Sequence, residues 1–250
     1  GGSIKSIGTD AFKCCYRLVE VYNKSSLTIT AGNSDNGYVA YYAKNVYTTE
    51  DGSKLSTDEN GYVTYTNETE KILVAYTGTE TNLVLPSDIT GINQHTFADC
   101  KNLTNITIPD NVTSLGDSAF YNCTGLTNVT IGNSVTNIGK EAFYNCSGLT
   151  SIIIPDSVGS IGGNAFQDCT GLTNITISNG ITKINTSTFY RCSGLTDVII
   201  PNNVTYISNF AFADCSSLTS IIIPDGVTGI DNYAFEDCSG LTSITIGEGT

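Results

Sequence analysis

The chain has 250 residues, 40% of them hydrophobic, and carries a formal net charge of −13. That acidity repels phosphate backbones and anionic membrane surfaces, so nucleic acid is set aside as a partner; it serves equally to keep a long chain soluble. No apolar run approaches the ~20 residues of a membrane span, so no membrane insertion is expected.

The chain contains no Met and opens on Gly1-Gly2-Ser3, which reads as a cloning remnant. It stops at Gly249-Thr250, inside a turn, and is expected to be a piece of a longer protein. The first pattern is Ile7, Ala11, Phe12, Cys15 and Leu18, a spacing that returns downstream. The next Phe in that register is due at position 35 but comes at 97, an excess of 62 residues. The intervening segment holds Tyr38, Tyr41, Tyr42, Tyr47, Tyr62, Tyr65 and Tyr76. Within it, Gly61–Thr66, Lys71–Tyr76 and Asn82–Leu85 read as strands separated by turns. Asp51-Gly52-Ser53 begins a faint calcium-loop pattern. It fails because Leu55 takes a ligand position and Tyr62 stands where a bidentate Glu belongs, which leaves a hairpin turn as the expectation. The chain therefore divides into an N-terminal partial repeat (1–22), an irregular Tyr-rich β insertion (23–88) and a repeat array (89–250).

In the array, Phe97, Phe120, Phe143, Phe166, Phe189, Phe212 and Phe235 stand 23 residues apart, each followed by Cys at +3 and Leu at +6. Fixed-period self-similarity of this kind marks a solenoid, whose units bury their apolar faces on one another. Residues 97–250 carry 13 Asp/Glu and 4 Lys/Arg, a net of −9, so the array is the more acidic part. Within one unit, Leu126 to Ile131 has strand period and strand formers. Pro or Gly then ends the strand, as at Pro109, Gly132 and Pro155. Val135 and Ile138 predict a second extended or irregular segment. Ala142, Phe143 and Cys146 have helical spacing over about one turn. Gly125, Gly148, Gly171, Gly194 and Gly240 suit a left-handed residue that ends it. Eight positions point inward: Leu126, Val129, Ile131, Val135, Ile138, Ala142, Phe143 and Cys146.

The pattern Leu-x-x-Ile/Val-x-Ile-Pro/Gly, Val-x-x-Ile, Ala/Thr-Phe-x-x-Cys resembles the BspA-like class of leucine-rich repeats over residues 89–250, and weakly again from Ile4 to Leu18. The resemblance implies a β-rich α/β solenoid: a right-handed leucine-rich-repeat array of 23-residue repeats with a parallel strand ladder and a β-hairpin-type insertion. It further implies a cell-surface or secreted, adhesin-like module that binds a host or neighbouring-cell protein. Two alternatives stand beside it, a structural spacer presenting another domain and a glycan-binding module. One departure is that the slot after the strand reads Asn111, Ser134, Ser157, Gly180, Asn203 and Gly226. No continuous Asn ladder exists there, so these turns must satisfy their backbone in another way.

The residues alternating with the strand core should project from the concave face. They are Asn128 and Thr130, Ser151 and Ile153, Asn174 and Thr176, Asp197 and Ile199, and Ser220 and Ile222, with Asn105/Thr107 and Ser243/Thr245 at the ends. The isoleucines suit strand propensity and equally an apolar strip in a binding surface. Tyr38, Tyr41, Tyr42 and Tyr47 form a second candidate surface, against packing within the hairpins. No catalytic group is expected, because His95, the one histidine, sits in the slot of Ser118 on the convex connection, where the register brings no nucleophile. No metal or cofactor is expected, because no Cys-x-x-Cys or comparable ligand pair occurs. The ladder cysteines read as small buried residues with a weak thiol donor, and Cys14 as a free surface thiol.

Overall fold

The computed structural model describes residues 4–15, 17–48 and 54–247. Among them every regular element is a strand and none is a helix. Each repeat contributes a short strand such as Asn105–Thr107, Asn128–Thr130, Ser151–Ile153 or Asn174–Thr176, then a two-residue strand such as Ser114–Leu115, Asn137–Ile138 or Ser160–Ile161. Both sets pair in parallel with a shift of one repeat, as in Val129↔Ile106 and Ile138↔Leu115. Parallel strands demand a long return path; here the third side of each coil supplies it.

Seven of the eight inward positions of one repeat are buried; Val129 is half-buried. The phenylalanines form one continuous column. Phe97–Phe120, Phe120–Phe143 and Phe143–Phe166 stack at 5.1, 5.1 and 5.2 Å between centroids, near parallel, and the column runs on to Phe235. A single coil could not offset its ordering entropy; stacked coils cover one another's rings.

The third side of the coil is not helical, which corrects the α part of the expected class. Ser118, Phe120 and Asn122 donate their N–H groups to the carbonyls of Lys140, Ala142 and Tyr144 on the next coil. Ala119, Tyr121 and Cys123 donate theirs three residues back, to Gly116, Ser118 and Phe120. A helix would direct every N–H four residues back. Linked turns meet the same obligation while tying neighbouring coils together. The glycines differ from expectation as well. The left-handed residues are Ser118 and Asn122 (φ 54° and 58°), with the equivalent pair in every coil, such as Glu141 and Asn145. Gly125, Gly148, Gly171, Gly194 and Gly240 are not left-handed; a Cβ on Gly148 would lie 2.6 Å from the Thr124 carbonyl oxygen. Glycine suits that slot because stacked backbones approach closely, although Asn102 and Ser217 occupy it in two other coils.

The turns without an Asn ladder are satisfied case by case. Asp110 accepts the Asn133 N–H, Asp156 accepts the Asn179 N–H, Ser157 donates to the Val135 carbonyl, and Asn203 donates to the Asn179 carbonyl.

Before the array, Leu55–Thr57, Tyr62–Thr66 and Lys71–Tyr76 form an antiparallel meander. Lys71–Tyr76 then pairs in parallel with Gly91–Ile92, and Asn82–Val84 with Asn105–Thr107. The meander thus caps the ladder of two-residue strands and Asn82–Val84 caps the other, and Tyr62, Leu73, Tyr76, Leu83 and Leu85 join the main core. Asp51, Gly52 and Ser53 of the calcium-like pattern lie outside the described residues. The Asp58 carboxylate accepts the N–H groups of Asn60 and Tyr62, closing the turn between the first two meander strands.

Residues 4–15 and 17–48 repeat the coil rules in miniature. Asp10 and Cys14 are left-handed, Phe12 N–H bonds the Gly37 carbonyl, and Glu20–Tyr22 pairs in parallel with Asn45–Tyr47. Their own core is Val21, Val39, Ala40 and Ala43. Phe12, unlike its counterparts in the array, is 36% exposed.

Candidate functional site

Period-two strands fix which side chains leave the core. All ten sequence-selected positions, Asn128, Thr130, Ser151, Ile153, Asn174, Thr176, Asp197, Ile199, Ser220 and Ile222, lie on or directly beside these strands and are exposed. Pairings such as Ser151↔Asn174 and Ile153↔Thr176 set them in rows along the array. One row is polar. Its first members form an amide ladder in which Asn105 donates to the Asn82 carbonyl oxygen and Asn128 to that of Asn105. The parallel row mixes Thr with Ile, and Ile153, Ile199 and Ile222 are 68%, 77% and 65% exposed. The face offers amides, hydroxyls, one carboxylate and aliphatic chains. That inventory suits complementary contact.

Behind this face the thiols are fully used. Cys123, Cys146, Cys169, Cys192, Cys215 and Cys238 each donate to the carbonyl of the Phe one coil earlier, at 3.0–3.2 Å. Burial pushes them up from the ordinary thiol range, Cys169 to about 12. They are protonated, unreactive structural groups.

The second candidate set sits at the N-terminal end. Tyr38, Tyr41 and Tyr42 meet edge-on, with centroids 5.2 and 4.8 Å apart. Tyr47 stacks on Tyr22 at 5.4 Å, half-buried. Tyr41 is the exposed member. Ring-to-ring packing takes up most of this set.

The register could not show a third feature. The N-terminal coil lies against the array's turn side and encloses an open cavity of about 800 Å³, where Cys14, Cys15 and Arg17 meet His95, Asp99 and Glu141. Arg17 donates to the Ala98 carbonyl. His95 is half-buried rather than freely exposed, and desolvation lowers its pKa, so the imidazole is neutral at pH 7. Cys14 and Cys15 are both exposed. Among the described residues no group of three His, Cys, Asp or Glu side chains has metal-holding geometry, and no helix is long and apolar enough to cross a membrane.

The family model described as "BspA type Leucine rich repeat region" matches residues 74–196 and 136–250, with six copies. A leucine-rich cell-surface protein of Faecalibacterium prausnitzii A2-165 is 36% identical over 80% of this chain, with a TM-score of 0.71. The chain spans 56% of that protein's length. A leucine-rich repeat protein of T. pallidum shares the fold at 23% identity and TM-score 0.68, over 74% of this chain and 90% of that one. One from Eubacterium ventriosum ATCC 27560 does so at 23% identity and TM-score 0.53, over 78% and 57%. No curated protein matches the sequence.

Proposed function

The chain belongs to the BspA-type leucine-rich repeat family, and from that premise we propose that it is an adhesin-like binding module, at a cell surface or secreted, recognising a host or neighbouring-cell protein through its strand face. The observation that carries this reading is the exposed isoleucine row, Ile153, Ile199 and Ile222. The same slot holds Thr at Thr107, Thr130 and Thr176, so the fold does not require isoleucine there. Each would release ~2 kcal/mol if a partner buried it. The acidic array favours neutral or basic partners over anionic ones.

The test is capture of the chain by immobilised extracellular-matrix proteins at physiological salt. Replacing Ile199 and Ile222 together by Glu should abolish capture and leave the circular dichroism spectrum unchanged. Unaltered affinity would overturn the strand-face assignment, and a wild-type chain that binds nothing on the panel would favour the spacer reading.

A further inference from the structure

The strand face is slit in two places. Its ladder falls into three blocks: Asn82–Val84 through Asn128–Thr130, Ser151–Ile153 through Asp197–Val198, and Ser220–Ile223 with Ser243–Ile246. Inside the blocks, the N–H groups of Thr127, Thr173, Thr196 and Thr242 bond the carbonyl of the Thr one repeat earlier, and their hydroxyls do the same. At the two block boundaries, Thr150 and Thr219 make no such bond among the described residues. The turn side stays closed throughout, since Phe120, Phe143, Phe166, Phe189 and Phe212 all donate to the next coil.

Each slit opens a small cavity. The first, of about 420 Å³, is walled by Asn128, Thr130, Ile153 and Pro155. The second, of about 280 Å³, is walled by Asp197, Ile199, Ile222 and Pro224. Every residue of one wall has its counterpart in the other 69 residues on, which is three repeats. Two hydrogen-bonded ladder steps at ~4.8 Å and one unbonded step of at least that width place the slits ~14 Å or slightly more apart. An extended chain presents residues i and i+4 on one side ~13.6 Å apart. A helix returns to one side at i+7 and i+11, ~10.5 and ~16.5 Å along its axis. The extended form lies nearest to that separation. Charge narrows the occupant further. The strand face from Asn105 to Ile222 and the turns following its strands hold Asp110, Asp156, Asp197 and Asp225, with no Lys or Arg.

Resting on the strand-face reading, we propose that the two slits seat one extended, basic segment of a partner protein, taking two of its aliphatic side chains four residues apart and setting Lys or Arg beside Asp197. The first slit, the roomier of the two, takes the larger aliphatic group, and the second, with Ile199 and Asp197 where the first has Thr130 and Asn128, takes the smaller one and the cation. That difference fixes the direction of the segment.

The test uses fluorescein-labelled 11-residue peptides of Lys, Ser and Thr carrying two Leu at i,i+4 or, in the same composition, at i,i+3 or i,i+7, read by fluorescence anisotropy. The i,i+4 peptide should bind at least tenfold tighter. Ile153→Thr and Ile222→Thr, which install the residue the repeat itself uses in that slot, should each remove the preference, and Asp197→Asn should reduce the salt dependence. Equal binding of all three peptides, tighter binding of the i,i+7 peptide, or no binding would overturn the slit geometry. The panel experiment separates the two readings. If the peptides show no i,i+4 preference, a matrix protein still lost with the Ile199/Ile222 double substitution leaves the strand face standing and overturns the slits alone, whereas a protein retained by that variant overturns both.

Discussion

The ladder cysteine shows how one residue type meets three demands. The slot is fully enclosed, it faces the carbonyl of the Phe one coil back, and it adjoins the phenylalanine column. Cys is small and apolar enough for the first, and its thiol supplies the weak donor for the second. The cost is an ionisable group that must stay neutral. Cys169 is raised from 9.0 to about 12, desolvation being the largest cause. A raised acid binds its proton more tightly in the folded chain, so its stabilisation is complete below about 9 and is lost as pH climbs from there toward 12. Tyr144, raised to about 12 by desolvation and then by its hydrogen bond with Asp168, acts with the same sign. The denaturant midpoint should be flat from pH 7 to 8 and fall steadily above 9; a midpoint that holds to pH 11 would contradict this. In the native protein at pH 8, the thiol reagent DTNB should titrate Cys14 and Cys15 rapidly and Cys123 to Cys238 only after unfolding.

At the scale of the coil, the stacking contacts that tie neighbouring coils distinguish two small-residue positions that look alike in the sequence. Gly148 has an ordinary backbone but no room, whereas Asn145 has room but a left-handed backbone. Gly148→Ala should therefore destabilise by ~1–3 kcal/mol through overpacking, and Gly148→Asn at least as much, while Asn145→Gly keeps a compatible backbone and should lose only the ~0.5–1.5 kcal/mol of its side-chain hydrogen bond to Asn122. Tolerance of Gly148→Asn in urea unfolding would restore the left-handed assignment. The same contrast marks what the sequence could convey. Strand period fixed the direction of Ile153, Ile199 and Ile222 without any coordinates, because alternation is a local property. Ala142, Phe143 and Cys146 were ambiguous, since two linked turns place three inward residues as a single helical turn does. Hydrogen bonds to the next coil decide the matter, and these are non-local. The slits were illegible for a related reason. Thr150 and Thr219 are the same residue as Thr127 and Thr173, and what differs is the ladder around them.

Across the whole molecule, two cores meet at one seam. The array and the meander share a continuous interior, so removing residues 24–88 would delete Tyr62, Leu73, Tyr76, Leu83 and Leu85 from it. Point substitutions are the sounder way to separate a binding role of the tyrosines from that of the strand face. The N-terminal coils have their own core and join the rest through Val19, packed with Tyr65, Ile72 and Val74. They also join it through Glu20, a buried carboxylate that accepts the Lys54 N–H at 2.6 Å and the Tyr22 hydroxyl at 2.8 Å. Glu20→Ala leaves those donors without their acceptor, a loss of ~1–3 kcal/mol confined to the seam. Stability in such a molecule is distributed in local units. In native-state hydrogen exchange, the amides of Val21 and Val46 should therefore lose protection in Glu20→Ala, while those of Phe120 and Phe143 keep theirs. Equal acceleration at all four would mean that the N-terminal coils and the array open as one cooperative body. The cavity of Cys14, Arg17 and His95 would then be a fixed part of the molecule rather than a cleft that opens when the N-terminal coils undock.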